Sequence, residues 1–383
     1  MNKYFLPVYH SELKPWIKWW ILKRLNGGES SLKAVTISSG TLTKVDKSKA
    51  LSIKEYYGNT VQNGTPSPES PVEIKTISGD NTFTINGVNY NLDLKSKQLF
   101  DKSTVTNGYR LDGSGNASSS ASNEFTSDYI EIAPNTTYIR SSEVTAYTRT
   151  CFYDNSKTFI SKDDSNQIIT TPSNARYLRF SEYNSRLDTI MINEGSTALP
   201  YESYYNYELC KIGDYKDKIV NDNGTWKVEK KVGKVVLNGT ENWVKRSDIS
   251  TITTSCFRTD YSTEVSANMV NGTILLSNMF TCLNNTNDVE HFRYIGAANY
   301  RLQLFINKSR LSSDDSTGLK TWLSTHNTNV YYILATPTTE TITNTNLISQ
   351  LNALYEFYVE SSTVSISNNS EIPLEVLLEY YGR

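Results

Sequence analysis

Three prolines, Pro66, Pro68 and Pro71, crowd together behind Asn59 and the pair Asn63-Gly64. Each fixes its own φ, gives no N–H to a strand ladder and pushes the residue before it toward extended geometry. Residues 57–74 therefore read as an extended strap and not as a helix. Immediately beyond, residues 82–85 and 88–92 alternate around Asn86-Gly87, the strongest short-range hairpin signal. A stiff strap followed by a hairpin describes a strand platform over residues 54–94, not a catalytic loop.

The rest of the composition agrees with strands. The 383 residues include 26 Tyr but only 4 Met, and Ser, Thr and Asn are abundant. Thr and Tyr suit a pleated, half-buried surface. A chain of this length holds about two or three domains, each large enough for its own core. With 38 basic and 40 acidic residues the formal charge is -2, which gives no field that would draw nucleic acid or an anionic membrane. Cys151, Cys210, Cys256 and Cys282 are far apart and form no CxxC pair. They read as small buried hydrophobes, not as a disulfide framework or a zinc site.

One segment predicts an apolar helix. Residues 15–25 run Pro-Trp-Ile-Lys-Trp-Trp-Ile-Leu-Lys-Arg-Leu, with Pro15 suited to a first helical turn and Asn26-Gly27-Gly28 to a stop. Trp16, Trp19, Trp20, Ile21 and Leu25 spread almost all round the wheel, so such a helix must be enclosed on most sides. At about 16 Å it is too short to span a bilayer. It reads as a plug on its own domain, as an assembly or docking element threaded into a neighbouring subunit, or as a membrane-surface anchor. Residues 1–10 lack a basic head followed by an apolar core, so no secretory signal is expected there.

Turn signals recur about every ten residues from 96 to 205, as in a sandwich or jelly roll, with strands expected at 127–132, 137–140, 145–152 and 175–180. A further β-sandwich is expected over 236–383, with a hairpin around Asn271-Gly272 and a strand at 330–335 ended by Thr336-Pro337. Two short helices interrupt it: one over 317–325 capped by Ser316, the other from Asn346 with Leu347, Leu351 and Leu354 on one stripe. The expected fold class is thus mainly β: a strand platform, two β-sandwich or jelly-roll units, one short apolar N-terminal helix and two short helices near the C-terminus.

The chain shows no arrangement expected of an enzyme. His10, His291 and His326 share no metal-ligand spacing. There is no GxSxG elbow, Walker loop or GxGxxG opening a helix. Asp163-Asp164 with Asp154 upstream could take a structural calcium, although a solvated hairpin loop explains them as well. Asp314-Asp315, or Glu290 with Asp288, could serve glycoside hydrolysis only if a fold set the carboxyls about 5–10 Å apart across a cleft. No organic cofactor is expected. Recognition is better supplied. Sugars are held by aromatic faces and planar polar groups, and residues 96–205 offer Tyr147, Tyr153, Tyr177, Arg179 and Tyr183, with Tyr109, Arg110, Arg149 and Glu182. Alternation in Tyr177-Leu-Arg-Phe180 puts Tyr177 and Arg179 on one face and Leu178 and Phe180 on the other.

The strap at 57–74, Ile212-Gly-Asp-Tyr215, Tyr331-Tyr-Ile-Leu-Ala-Thr-Pro-Thr338 and the phrase Asn193-Glu-Gly-Ser-Thr-Ala198 with Pro200-Tyr201 carry a resemblance. They resemble segments of tail and baseplate proteins of phages that infect Gram-positive bacteria. Residues 96–205 resemble the jelly-roll carbohydrate-binding-like modules of such proteins, through Ser127-Asp-Tyr-Ile130, Ala133-Pro-Asn-Thr-Thr-Tyr138, Phe152-Tyr-Asp154 and Asn174-Ala-Arg-Tyr-Leu-Arg-Phe180. In the relatives the Ile-Gly-Asp-Tyr segment follows soon after the strap. The resemblance therefore implies that 96–205 is an insertion into a discontinuous platform of 30–95 and 206–235, between an N-terminal docking segment 1–29 and a sandwich at 236–383. It further implies a non-enzymatic virion structural protein, assembled in the host cytoplasm and acting at the outer surface of the host cell. The implied partners are other tail proteins and a host cell-wall glycan, and the implied assembly is a homotrimer. A cell-wall glycan depolymerase and a purely architectural spacer stand as alternatives.

Overall fold

The computed structural model describes residues 31–37, 40–43, 49–85, 87–119, 123–142, 149–260, 275–283, 287–295, 301–355, 357–359, 363–368, 372 and 374–381. The helix expected at 15–25, with Trp16, Trp19, Trp20, Ile21 and Leu25, lies outside them, as do Tyr147 and the turn expected at Asn271-Gly272. The described chain is mainly β, in antiparallel sheets, and its α-helices among the described residues are Ser316–Thr325 and Thr345–Tyr355. Asp315, not Ser316, caps the first, its carboxylate accepting the Gly318 N–H at 2.9 Å. The second starts one residue before Asn346, and Asn344 Oδ1 accepts the Leu347 N–H at 2.9 Å.

The chain divides into two compact units. One takes the described residues up to Leu92, Glu208–Thr343, and those from Ile348 on; the other takes Asp93–Tyr207 and Asn344–Leu347.

The largest sheet of the first unit runs Ser31–Ile37, Glu375–Tyr381, Lys49–Tyr57, Lys218–Asp222, Thr225–Leu237, Thr328–Thr341, Leu276–Ser277, and Phe357–Val359 also pairs with Lys49–Tyr57. Tyr56 stands opposite Ile219 and Tyr57 opposite Lys218, so strands from far apart in the chain are neighbours. The expected boundary between 235 and 236 is not there. Thr225–Leu237 crosses it as one strand, paired along its length with Thr328–Thr341, and so joins platform and C-terminal strands in one sheet. Gly233, the one turn-prone residue in this run, serves the sheet instead: a Cβ there would meet the Tyr332 ring at 2.6 Å.

Pro337, expected to end its strand, does not. Thr328–Thr341 runs through it, because the proline falls where the register shifts between Lys230 and Val232, and a bulge tolerates a residue that cannot donate. The amides of Lys231 and Val232 at that shift turn to Asp217, whose Oδ1 accepts them at 2.7 and 3.0 Å. Asp217 Oδ2 accepts the Cys210 N–H at 2.9 Å and pairs with Lys230 Nζ at 2.5 Å. The carboxylate is wholly buried. Its own carbonyl takes the Gly58 N–H at 2.8 Å, at a point where a Cβ on Gly58 would lie 2.5 Å from the Cys210 carbonyl oxygen.

Among the described residues this unit also holds two four-stranded sheets, beside the two-stranded pairs Thr60–Val61 with Lys75–Thr76 and Lys211–Ile212 with Tyr215–Lys216. Gly40–Thr43, Thr363–Asn368, Asp80–Ile85 and Val88–Asp93 form one, with Gly87 at φ +77° in the expected turn. Val244–Lys245, Thr254–Asp260, Arg301–Asn307 and His291–Ile295 form the other. Its inner face packs Phe257, Phe292 and Leu304 with Leu319 and Trp322 of the Ser316–Thr325 helix. The proline strap is held to this part of the unit: Gln62 Nε2 donates to the Ser277 carbonyl and Val72 N–H to the Asn278 carbonyl, both at 2.8 Å.

The second unit sets a six-stranded sheet, Phe159–Asp163, Arg149–Tyr153, Tyr177–Tyr183, Glu124–Thr126, Thr106–Asn107, with Ile130–Glu131 also on Tyr177–Tyr183, against the three strands Ile168–Thr170, Thr137–Arg140 and Ile192–Glu194. Phe125, Phe152, Leu178 and Phe180 pack with Tyr138 and Ile192 in its core. Its two chain ends meet: Lys95 bridges Asn206, and the Tyr207 N–H donates to the Leu94 carbonyl at 2.7 Å. The Asn193-Glu-Gly-Ser-Thr phrase is a local turn, with Gly195 at φ +101° and the Asn193 amide spanning it to the Thr197 carbonyl and the Leu199 N–H.

Replacing Asp217 by Ala strands three amides and a lysine around a buried hole. We expect a loss of about 3–5 kcal/mol, read as a lower guanidinium midpoint from the fluorescence of buried Trp226.

Candidate functional site

The strand Tyr177–Tyr183 has two distinct faces. Leu178 and Phe180 are fully buried in the core, while Tyr177 and Arg179 are half-buried on the other side, as their alternation requires. Pairing then assembles the outer face: Tyr153 and Glu131 stand opposite Tyr177 from either side, and Cys151 stands opposite Arg179. Tyr129, just ahead of the Ile130–Glu131 strand, completes an aromatic group. Its ring meets Tyr153 at 4.9 Å and Tyr177 at 5.9 Å between centroids, both edge-on, and Tyr153 meets Phe159 in the same way at 6.1 Å. Such edge-to-face pairs are each worth about 0.5–1.5 kcal/mol beyond the area they bury.

Cations sit on this group. Lys157 Nζ lies 4.7 Å from the Tyr129 centroid and 5.6 Å from that of Tyr177, and the Arg179 guanidinium lies 4.8 Å from Tyr129. Arg179 is anchored through Nε to the Ser127 carbonyl at 3.0 Å. Lys157 is exposed and has φ +59°, in a turn that Asp154 organises by accepting the Ser156 and Thr158 amides.

Part of the same face is covered by the hairpin of Tyr109–Leu111 and Ala117–Ser119. Leu111 is fully buried against Cys151 and Tyr153. Its N–H donates to Ser181 Oγ at 2.7 Å, and its carbonyl accepts from Arg149 at 2.9 Å. At the hairpin tip Tyr153 OH donates to the Gly115 carbonyl. Gly115 has φ +79°, and a Cβ there would fall 2.4 Å from the Phe159 ring.

Of the expected sugar-contacting residues, Tyr153, Tyr177 and Arg179 come together. Tyr153 is only 2% exposed, because the hairpin seals it, so its ring supports the cluster and offers no face to a ligand. Tyr183 shares the outer face but stands at the far end of the strand, about 20 Å along it from Tyr177, opposite Glu124. Tyr147 lies outside the described residues. Arg149 is taken up by Asp164 at 2.9 Å, and Glu182 is buried with Ser142 and Arg186. Tyr129, Lys157 and Phe159 were not singled out from sequence; the recurrence of aromatic residues on both sides of a predicted strand pair was the available signal.

The groups considered for chemistry are engaged structurally. Asp163 Oδ1 accepts the Ser165 and Asn166 amides at 3.0 Å each, and Asp164 pairs with Arg149 and Lys162, which pull its carboxyl below the ordinary range despite partial burial. No group of three or more metal-ligating side chains occurs among the described residues. Asp314 pairs with Lys245 at 2.7 Å, and Glu290 with Arg310 at 2.6 Å, where burial pushes the Glu290 carboxyl up. All four thiols are unpaired and raised by burial, Cys151 to about 11 and Cys256 and Cys282 to about 12. His326 stacks on Trp322 at 4.3 Å, and fully buried His291 stacks on Phe305 at 4.4 Å. Compared with known families, with curated proteins and with solved structures, the chain has no match.

Two outcomes are expected. Gly115→Ala combines a left-handed backbone with a clash, and should destabilise the second unit by at least about 1–2 kcal/mol and speed chymotryptic cleavage there. Gly113→Ala, with open space around it, should change neither. His291 behaves differently: burial, before any other influence, lowers its proton affinity below the ordinary value of 6.5. The unfolded chain therefore takes up a proton first. The His291 contribution to stability should be complete above pH 6.5 and be lost as the pH falls below it, and denaturant titrations of His291→Gln should show a flatter pH dependence there.

Proposed function

We propose that this chain is a virion structural protein of a phage tail tip or baseplate, whose Asp93–Tyr207 unit attaches the particle to the host cell wall. The observation that carries the reading is the outer face of the six-stranded sheet, where half-buried Tyr129 and Tyr177 stand beside Lys157 and Arg179. Aromatic rings next to planar or charged donors suit a ligand with apolar C–H faces and many oxygens, which is a sugar. The strap at 57–74, Ile212-Gly-Asp-Tyr215 and the Asn193-Glu-Gly-Ser-Thr phrase support the assignment to a phage tail through their resemblance. In that setting the partners are other tail proteins and a wall glycan, and a homotrimer multiplies weak contacts by making later binding events intramolecular. Residues 15–25 serve as the docking segment between subunits or to the tail.

The test is sedimentation of the full chain with purified Gram-positive cell walls. Wild-type protein should co-sediment and release no reducing sugar, and Tyr129→Ala with Tyr177→Ala should weaken retention at least about tenfold, the loss of roughly 1.4 kcal/mol. Release of reducing sugar would establish the depolymerase instead, and no retention on any wall would leave an architectural spacer.

A further inference from the structure

The aromatic surface of Tyr129 is already in use. Lys157 and Arg179 both lie within 5 Å of its centroid, so two like charges share one ring. A ring quadrupole returns only about 0.5–1 kcal/mol per cation at an exposed site, while the two cations repel each other. Several other basic groups in this unit have acidic partners: Lys102 with Asp188, Arg149 and Lys162 with Asp164, and Arg186 with Glu182. Neither Lys157 nor Arg179 pairs with a carboxylate among the described residues; the hydrogen bond made by the Arg179 side chain goes to the Ser127 carbonyl. The carboxylates adjacent in chain or register are Asp128, exposed, with its Oδ1 accepting the Tyr129 N–H at 2.8 Å, Glu131, exposed opposite Tyr177, and Asp154, which accepts two turn amides.

A neutral sugar stacking on Tyr129 would have to push a cation aside. A ligand bearing negative charge would keep both cations in place, relieve their repulsion and gain charge-assisted hydrogen bonds. The edge of Tyr177 would remain for its C–H surface. We infer that the glycan taken by this face carries an anionic group, a phosphodiester or a carboxylate, held by Lys157 and Arg179 beside Tyr129 and Tyr177. The inference rests on the wall-binding reading and adds the chemistry of what is bound.

The experiment uses the full chain and purified Gram-positive walls in three forms: untreated, stripped of phosphodiester-linked polymers with hydrofluoric acid, and amidated at carboxylates with a carbodiimide. Binding to untreated wall should fall at least about tenfold between low and high salt, as screening requires. It should be lost on acid-stripped wall if the anion is a phosphodiester, and on amidated wall if it is a carboxylate. Lys157→Asn removes the charge with a side chain that tolerates a left-handed backbone; it should weaken binding at least about tenfold and flatten the salt dependence with no change in thermal midpoint. Arg179→Lys, which keeps the charge, should retain most of the binding. Binding that is indifferent to salt, to both treatments and to Lys157→Asn overturns the anionic assignment and leaves wall attachment standing. Absence of wild-type binding to untreated wall overturns both.

Discussion

A single buried carboxylate lets the first unit carry a proline and a register shift inside its main sheet. A bulge frees backbone donors that a partly buried ladder leaves unpaired only at a cost. Asp217 receives those donors from Lys231 and Val232, takes a third from Cys210, and is neutralised by Lys230. One side chain thereby ties the segment leading into Lys218–Asp222 to the middle of Thr225–Leu237. Its backbone also accepts from Gly58 at the start of the strap. Pro337 is tolerated in its strand because the ladder is already broken there and repaired from the side.

Much of the β character was legible in local sequence, and the reasons are local too. Asn86-Gly87 marked a turn because Gly87 needs φ +77°, and Tyr177-Leu-Arg-Phe180 sorted its faces by a strict period of two. Leu347, Leu351 and Leu354 read as a stripe and are all buried. What escaped notice depends on long-range pairing. Nothing in residues 225–237 announces that Asp217 would stitch a bulge, or that Gly233 clears space for Tyr332 rather than turning the chain. The supposed boundary at 235 therefore vanished into a continuous strand.

The outer face of the second unit shows the same division. Tyr177 and Arg179 could be placed from alternation alone, but Tyr129 and Lys157 enter from a strand approach and a turn that only the folded sheet brings together. Tyr153 obeys the alternation yet is hidden, because the Gly115 hairpin folds over it. Period two tells which side of a sheet a residue occupies, not whether another segment lies on top. The consequence is a compact patch in which ring edges and unneutralised cations, more than open ring faces, are what solvent meets.

The unpaired thiols have a chemical consequence. A sulfur with a proton affinity near 11, as at Cys151, is ionised in only about one copy in ten thousand at neutral pH, and the thiolate is the form that oxidants and disulfides attack. Cys256 and Cys282, near 12, are less reactive still. Burial thus keeps these thiols largely in the protonated form, the less reactive one, at neutral pH.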